Sequence, residues 1–108
     1  MNKIYIAGLE YEIQYIKHYA RDAEALGSHC GNSCTIKIDT DLKLQVQQKT
    51  LIHEILEAIN FEYSLKLEHD KICVLESGLF EVIKNNPELL RYFNNKEIEK
   101  KDGIPKIV

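Results

Sequence analysis

The sequence has 108 residues, the usual size of a single domain, and is 44% hydrophobic and 29% charged, as is typical of a globular protein. Fourteen Lys and Arg against 17 Asp and Glu give a formal net charge of −3 with no basic stripe, so direct binding to nucleic acid is not expected. No apolar run approaches the roughly 20 residues of a membrane span and the start lacks a signal-peptide pattern, so we expect a cytoplasmic protein without a membrane partner.

The first half of the chain predicts short strands. Polar and apolar residues alternate over Lys3–Ile6 and again over residues 11–15, which indicates a hairpin. Residues 16–26 fit either a loop or a short helix. Residues 28–30 and 34–39 lie on either side of a Gly-Asn-Ser turn and predict a second hairpin.

The second half predicts helices. Residues 42–64 contain no proline or glycine, and their apolar stripe is expected at Ile52, Ile55, Leu56 and Ile59. A second helix is expected over residues 68–85, with a buried face formed by Ile72, Leu75, Leu79, Val82 and Ile83. Pro87 suits the first turn of a short third helix over residues 88–94, and the tail 96–108 is expected to be irregular.

The order of these elements, strands before helices, predicts the fold class. Segregated strands and helices are typical of α+β proteins. We therefore predict one α+β domain over residues 1–108, with a small antiparallel sheet followed by a helical hairpin.

The segment around His53 carries the strongest functional signal. His53 and Glu57 are four residues apart, so on a helix both side chains lie on one face and can bind the same metal ion. Glu54 points about 100° away around the helix axis, where the Glu of a His-Glu-x-x-His motif reaches the water beside the metal. Because a carboxylate is also a competent zinc ligand, the pattern predicts zinc ligands at His53 and Glu57 and a catalytic base at Glu54.

A third ligand is expected from the following helix. His69 at its start is the first choice, because two His and one carboxylate form a known catalytic zinc set with one position open for water. Glu76 is the alternative third ligand, although it could instead form an ion pair with Lys49 or Lys71. Cys73 lies on the same side of this helix, where a cysteine is more often a small core residue than a ligand.

A longer pattern surrounds the motif. Its parts are Gly8-Leu9-Glu10-Tyr11-Glu12, Leu26-Gly27, Ile36-Lys37-Ile38-Asp39, the segment 48–59 that contains His-Glu-x-x-Glu, and the segment 79–87. Over about residues 8–90 the chain resembles short phage and prophage proteins related to the ImmA/IrrE-type, gluzincin-like zinc metallopeptidases. The resemblance implies a zincin-like fold, one zinc ion held first by His53, Glu54 as general base, and hydrolysis of a peptide bond by a metal-bound water. Glu57 stands where the second His of that family stands.

Two hypotheses about function follow. The leading one is a minimal zinc-dependent metallopeptidase, a hydrolase that acts on a peptide. The alternative is a catalytically inactive zincin-fold protein that binds a protein partner, as a phage regulator or counter-defence factor. Ordinary charges on a solvated helix face, or a structural metal site, would also account for the motif.

Further expectations concern the cysteines and the sheet edge. Cys30, Cys34 and Cys73 are an odd number of cysteines, which indicates free thiols. His29, Cys30 and Cys34 suggest a second metal site, although no further pair supplies a fourth ligand. The strand 35–39 is expected to offer its edge to an extended peptide.

Overall fold

The computed structural model describes residues 1–95. In chain order the elements are β1 (Lys3–Ile6), β2 (Leu9–Ile16), α1 (Tyr19–Ala23), β3 (Gly27–Cys30), β4 (Thr35–Asp39), α2 (Leu44–Glu62), α3 (His69–Asn85) and α4 (Glu88–Asn94). The predicted α+β class is confirmed. The predicted irregular tail, 96–108, lies outside the described residues.

The sheet is mixed, with strand order β1-β2-β4-β3. Both predicted hairpins are present as antiparallel pairs, β1 with β2 and β3 with β4. The two central strands, β2 and β4, are parallel, so the prediction of an entirely antiparallel sheet was wrong. After β2, the segment that contains α1 leads to β3, which forms the edge of the sheet. The next strand, β4, then lies between β2 and β3. The alternation of polar and apolar residues predicts on which face of the sheet each side chain lies, but not the order of the strands. The strand order determines which strands are neighbours, and so whether neighbours run parallel or antiparallel.

The core lies between one face of the sheet and α2. Its buried members are Ile6, Tyr11, Ile13, Ile36, Ile38 and Ala58. Along α2 the buried residues are Thr50, Glu54 and Ala58, each four residues from the next. The predicted stripe of Ile52, Ile55, Leu56 and Ile59 is only half-buried, and only Ile55 and Ile59 of that stripe pack against the core. The helix is therefore rotated so that a carboxylate faces the sheet.

Close contact between β3 and α2 depends on Gly27. A methyl group at this position would lie 2.6 Å from the Thr50 Cγ2 atom and 2.7 Å from the Lys37 carbonyl oxygen. The backbone of Lys37 belongs to the sheet and has little freedom to move. The absence of a side chain thus lets α2 lie directly over the end of β3, which brings Glu54 to the edge of the sheet.

Helix α3 packs on α2 through one side only. Ile72 is its single buried residue, whereas Leu75, Leu79, Val82 and Ile83 are 38–44% exposed. The predicted buried face of α3 is therefore wrong for four of its five positions. No helix among the described residues is both long and apolar enough to cross a membrane.

Replacement of Gly27 by Ala tests the contact between β3 and α2. Gly27→Ala is expected to lower the free energy of unfolding by about 1–3 kcal/mol, because the added methyl group overlaps a side chain and a backbone carbonyl. Urea denaturation measures the change. Cys30→Ala, at an exposed position of the same strand, is the control and is expected to change stability by less than about 0.5 kcal/mol. Equal stabilities for the two variants would contradict the contact.

Candidate metal centre

His53 lies between two carboxylates. Its Nδ1 atom is 2.8 Å from Glu76 Oε1, and its Nε2 atom is 3.3 Å from Glu57 Oε2. Glu57 comes from the next turn of the same helix, as the spacing of four predicts, whereas Glu76 comes from α3. All three side chains are largely shielded from solvent, with 16–29% of each side chain exposed. The packing of α3 on α2 therefore holds the imidazole in one orientation.

His69 reaches the same point from the start of α3. Its Nδ1 atom is 3.5 Å from Glu57 Oε2, and its ring meets the His53 ring edge-on with centroids 5.1 Å apart. The connection before it is fixed by Asn60, whose side chain accepts a hydrogen bond from the Leu67 N–H and donates one to the Leu67 carbonyl. The turn between the helices thus sets the position of His69, although its side chain stays 73% exposed.

Two sets of potential ligands share His53. One is His53, Glu57 and His69, and the other is His53, Cys73 and Glu76; in each set the ligand atoms lie within 4.8 Å of one another. The sets use opposite sides of the His53 ring, since Glu57 faces Nε2 and Glu76 faces Nδ1. Both predicted third ligands are therefore close to His53, and the structure brings Cys73 there as well.

The charges near Glu76 distinguish the two sets. Lys49, one turn before His53, places its Nζ atom 4.0 Å from Glu76 Oε2. This is one of the ion pairs that the sequence left open. A nearby ammonium group opposes a divalent cation at Glu76 by Coulomb repulsion. No such cation is paired with Glu57 among residues 1–95. The set of His53, Glu57 and His69 is the better fit to a metal ion, and its two imidazoles and one carboxylate match a catalytic zinc set.

With that set, Glu76 has a separate role. A metal-binding His usually donates its other ring N–H to a carboxylate, which fixes the tautomer and the ring orientation. Glu76 lies at hydrogen-bonding distance from His53 Nδ1, which leaves Nε2 directed at Glu57 and His69.

Glu54 is the buried carboxylate of the site. It is 7% exposed, lines the same cleft as His53 and His69, and has no hydrogen-bond partner within residues 1–95. The pKa of its carboxyl is raised from 4.5 to about 7, chiefly by burial; His53 and His69 lower this pKa, whereas the neighbouring Glu57 and Glu76 raise it. A carboxyl with a pKa near neutrality can both accept and return a proton at physiological pH.

A cleft of about 380 Å³ is lined by His53, Glu54, His69, Cys73 and Glu76, together with Ala25, Leu26, Gly27 and Thr50. It therefore opens beside β3. The predicted peptide-binding edge at residues 35–39 was wrong, because β4 pairs with β2 on one side and with β3 on the other. The edge next to the cleft is β3. Since the Asp39 N–H donates to the Leu26 carbonyl, the alternation of an antiparallel pair turns the N–H and C=O of Gly27 away from β4.

The second metal site suggested by His29, Cys30 and Cys34 is not formed. The His29 ring stacks on Tyr11 and meets Phe61 edge-on, with centroids 5.9 and 5.6 Å apart. Cys30 is exposed. Within residues 1–95, every group of three potential ligands close enough to share an ion contains His53. The three cysteines are free thiols, as predicted.

No protein-family model matches the sequence, and neither a curated protein nor a solved structure is similar to it. The resemblance to ImmA/IrrE-type metallopeptidases therefore stays a prediction, and any statement about function must come from the geometry of the cleft.

The raised pKa of Glu54 predicts a pH-dependent loss of stability in the metal-free protein. Because the folded state holds this proton more tightly than the unfolded chain, the contribution of Glu54 to the free energy of unfolding falls as the pH rises from 4.5 to about 7. Glu54→Gln removes this effect. The variant is expected to be more stable than wild type by about 1–3 kcal/mol at about pH 8 and nearly equal to it at about pH 4.

Urea denaturation at both pH values, in the presence of a chelator, measures this difference. The exposed Glu24 provides the control substitution Glu24→Gln, which is expected to have no comparable effect. A Glu54→Gln variant that is equally stable or less stable than wild type at the higher pH would show that the carboxyl is not buried as described.

Proposed function

We propose that the protein is a zinc-dependent metallopeptidase of minimal size. The observation that carries the proposal is the convergence of His53, Glu57 and His69 beside a cleft that His53, His69 and Glu54 line. The Glu54 carboxyl in this cleft has no hydrogen-bond partner within residues 1–95. This arrangement contains a metal-binding set and a proton acceptor side by side, as a hydrolytic site requires.

Three of these side chains would bind the metal ion, and a fourth would orient one of the ligands. His53 Nε2, a Glu57 oxygen and His69 Nδ1 would hold the ion. Glu76 accepts the Nδ1 proton of His53 and so keeps the Nε2 lone pair available. Bound zinc supplies Lewis acidity, which makes water acidic at about neutral pH.

Glu54 is the proposed proton carrier. Its carboxylate takes a proton from the attacking water and delivers it to the departing nitrogen of the peptide bond. In the metal-free chain its pKa is about 7, and a bound divalent cation would lower it and so favour the carboxylate, the form that accepts a proton. Burial of the carboxyl against β3 raises its pKa, and its position beside His53 would let it reach a water molecule next to the bound ion.

An extended peptide is the proposed substrate. The cleft opens along the free edge of β3, where Gly27 turns its backbone N–H and C=O away from β4. An extended chain that pairs with such an edge gains main-chain hydrogen bonds without a requirement for particular side chains. It would pass directly over Glu54 and His53.

Glu57 in place of a second His does not remove the ligand set. The His2Glu composition of a catalytic zinc site is retained if α2 supplies one His and one Glu and α3 supplies the other His. His69 lies 3.5 Å from Glu57 and therefore meets this requirement.

Metal content tests the proposed ligands. Protein purified without chelators and without a His tag is expected to contain about one zinc ion per chain. His53→Ala, Glu57→Ala and His69→Ala are expected to lose it. Glu76→Gln is expected to keep the site but to bind zinc about 10–100-fold more weakly, because it only orients His53. Elemental mass spectrometry and competition with a chromogenic chelator measure both quantities.

His18→Ala is the matched control, since His18 pairs with Asp41 away from the cleft. Zinc loss in this control would indicate a non-specific effect. A wild-type protein that stays free of metal after zinc is added would contradict the enzyme proposal and would leave the alternative of a binding protein.

Loss of the proton carrier separates catalysis from metal binding. Glu54→Gln is expected to retain zinc and fold, yet to lower the rate of peptide hydrolysis by about 10²–10⁴-fold. A fluorogenic library of unstructured peptides is the assay, with the chelated wild type as the blank. Wild-type hydrolysis that survives unchanged in Glu54→Gln would remove Glu54 from the mechanism.

A further inference from the structure

One face of α3 presents apolar side chains to solvent. Val74 is 70% exposed, Leu75 43%, Leu79 41% and Val82 44%. They lie within two and a half turns of one helix and adjoin the buried Ile72 on the side away from the metal centre. Contiguous exposed apolar residues on a helix indicate an interaction surface.

Gly78 lies in the middle of this face. A methyl group built at Gly78 would meet no atom within 4 Å, so the contacts of the described chain do not require a glycine. Glycine weakens a helix interior relative to alanine, because it loses more conformational entropy on folding. A glycine that the contacts of residues 1–95 do not explain suits the close approach of another helix.

The charges along the same stripe are complementary under a two-fold rotation. Lys71, Val74, Gly78 and Glu81 follow one another at spacings of three, four and three, and so share one side of the helix. Lys71 and Glu81 lie five residues before and after Glu76, and Val74 and Gly78 lie two before and after it. Both charged side chains are exposed, and neither forms an ion pair within residues 1–95.

We propose that α3 binds α3 of a second copy of this chain, in an antiparallel pair. In this arrangement Val74 of each copy lies over Gly78 of the other, and Lys71 of each copy faces Glu81 of the other. A two-fold interface repeats each contact, so Lys71 and Glu81, which form no ion pair within residues 1–95, would make two ion pairs in the dimer. The metal centre is on the opposite side of α3, and the proposal does not depend on the function of that site.

Charge exchange tests the pairing. Sedimentation velocity of the wild-type full chain over a wide concentration range is expected to show a monomer–dimer equilibrium. Lys71→Glu and Glu81→Lys are each expected to raise the dimer Kd by about tenfold or more, because each creates two like-charge contacts. The double variant, with both substitutions, is expected to recover the affinity of the wild type.

Two control substitutions accompany this test. Lys17→Glu changes the net charge as Lys71→Glu does but lies at the end of β2, and it is expected to leave the Kd unchanged. Gly78→Leu is expected to abolish the dimer by filling the space for Val74, whereas Ser33→Leu, in the exposed turn between β3 and β4, is expected to preserve it. A wild type that is monomeric at all concentrations, or a double variant no better than the single ones, would overturn the proposal.

Discussion

The His53 imidazole, held by a carboxylate on each side, is the interaction on which the site depends. Glu57 faces one ring nitrogen and Glu76 the other, and the two carboxylates come from different helices. Three carboxylates, Glu54, Glu57 and Glu76, thus lie close to His53, and the Lys49 ammonium group pairs with one of them, Glu76. Such an excess of negative charge opposes folding unless protons or a cation offset it, and a divalent ion at His53 would balance it. The same carboxylates therefore lower the stability of the metal-free fold and would favour the binding of a metal ion.

Glu54 shows how the fold imposes that cost. It belongs to the row of α2 residues that faces the sheet, between Thr50 and Ala58, and Gly27 lets the sheet approach it closely. A buried carboxyl without a hydrogen-bond partner is unfavourable in its ionised form, so its pKa rises to about 7. The environment that destabilises the charged group would also suit it to the proton transfer proposed for Glu54, since groups with strongly shifted pKa values are common at catalytic sites.

Much of the fold and most of the candidate site could be predicted from the sequence. The placement of His53 and Glu57 on one face follows from helix geometry alone, and the predicted helical hairpin, with helices over residues 42–64 and 68–85, folds the second helix back so that His69 and Glu76 can lie near them. The parallel pairing of β2 and β4 could not be predicted, because alternation does not encode strand order. Nor could the burial of Glu54, since hydrophobic periodicity selects the apolar residues around it. The apolar side of α3 was visible in the sequence, but periodicity does not tell whether the partner of such a face lies in the same chain.

X-ray absorption at the zinc edge of the zinc-loaded full chain tests the central claim most directly, because it reports the atoms bound to the ion. With His53, Glu57 and His69 as ligands, the first shell contains only nitrogen and oxygen, at about 2.0–2.2 Å, and shows the outer scattering of two imidazoles. The competing set of His53, Cys73 and Glu76 would instead give a sulfur at about 2.3 Å and one imidazole. A sulfur ligand, or a chain that binds no zinc at all, would contradict the account.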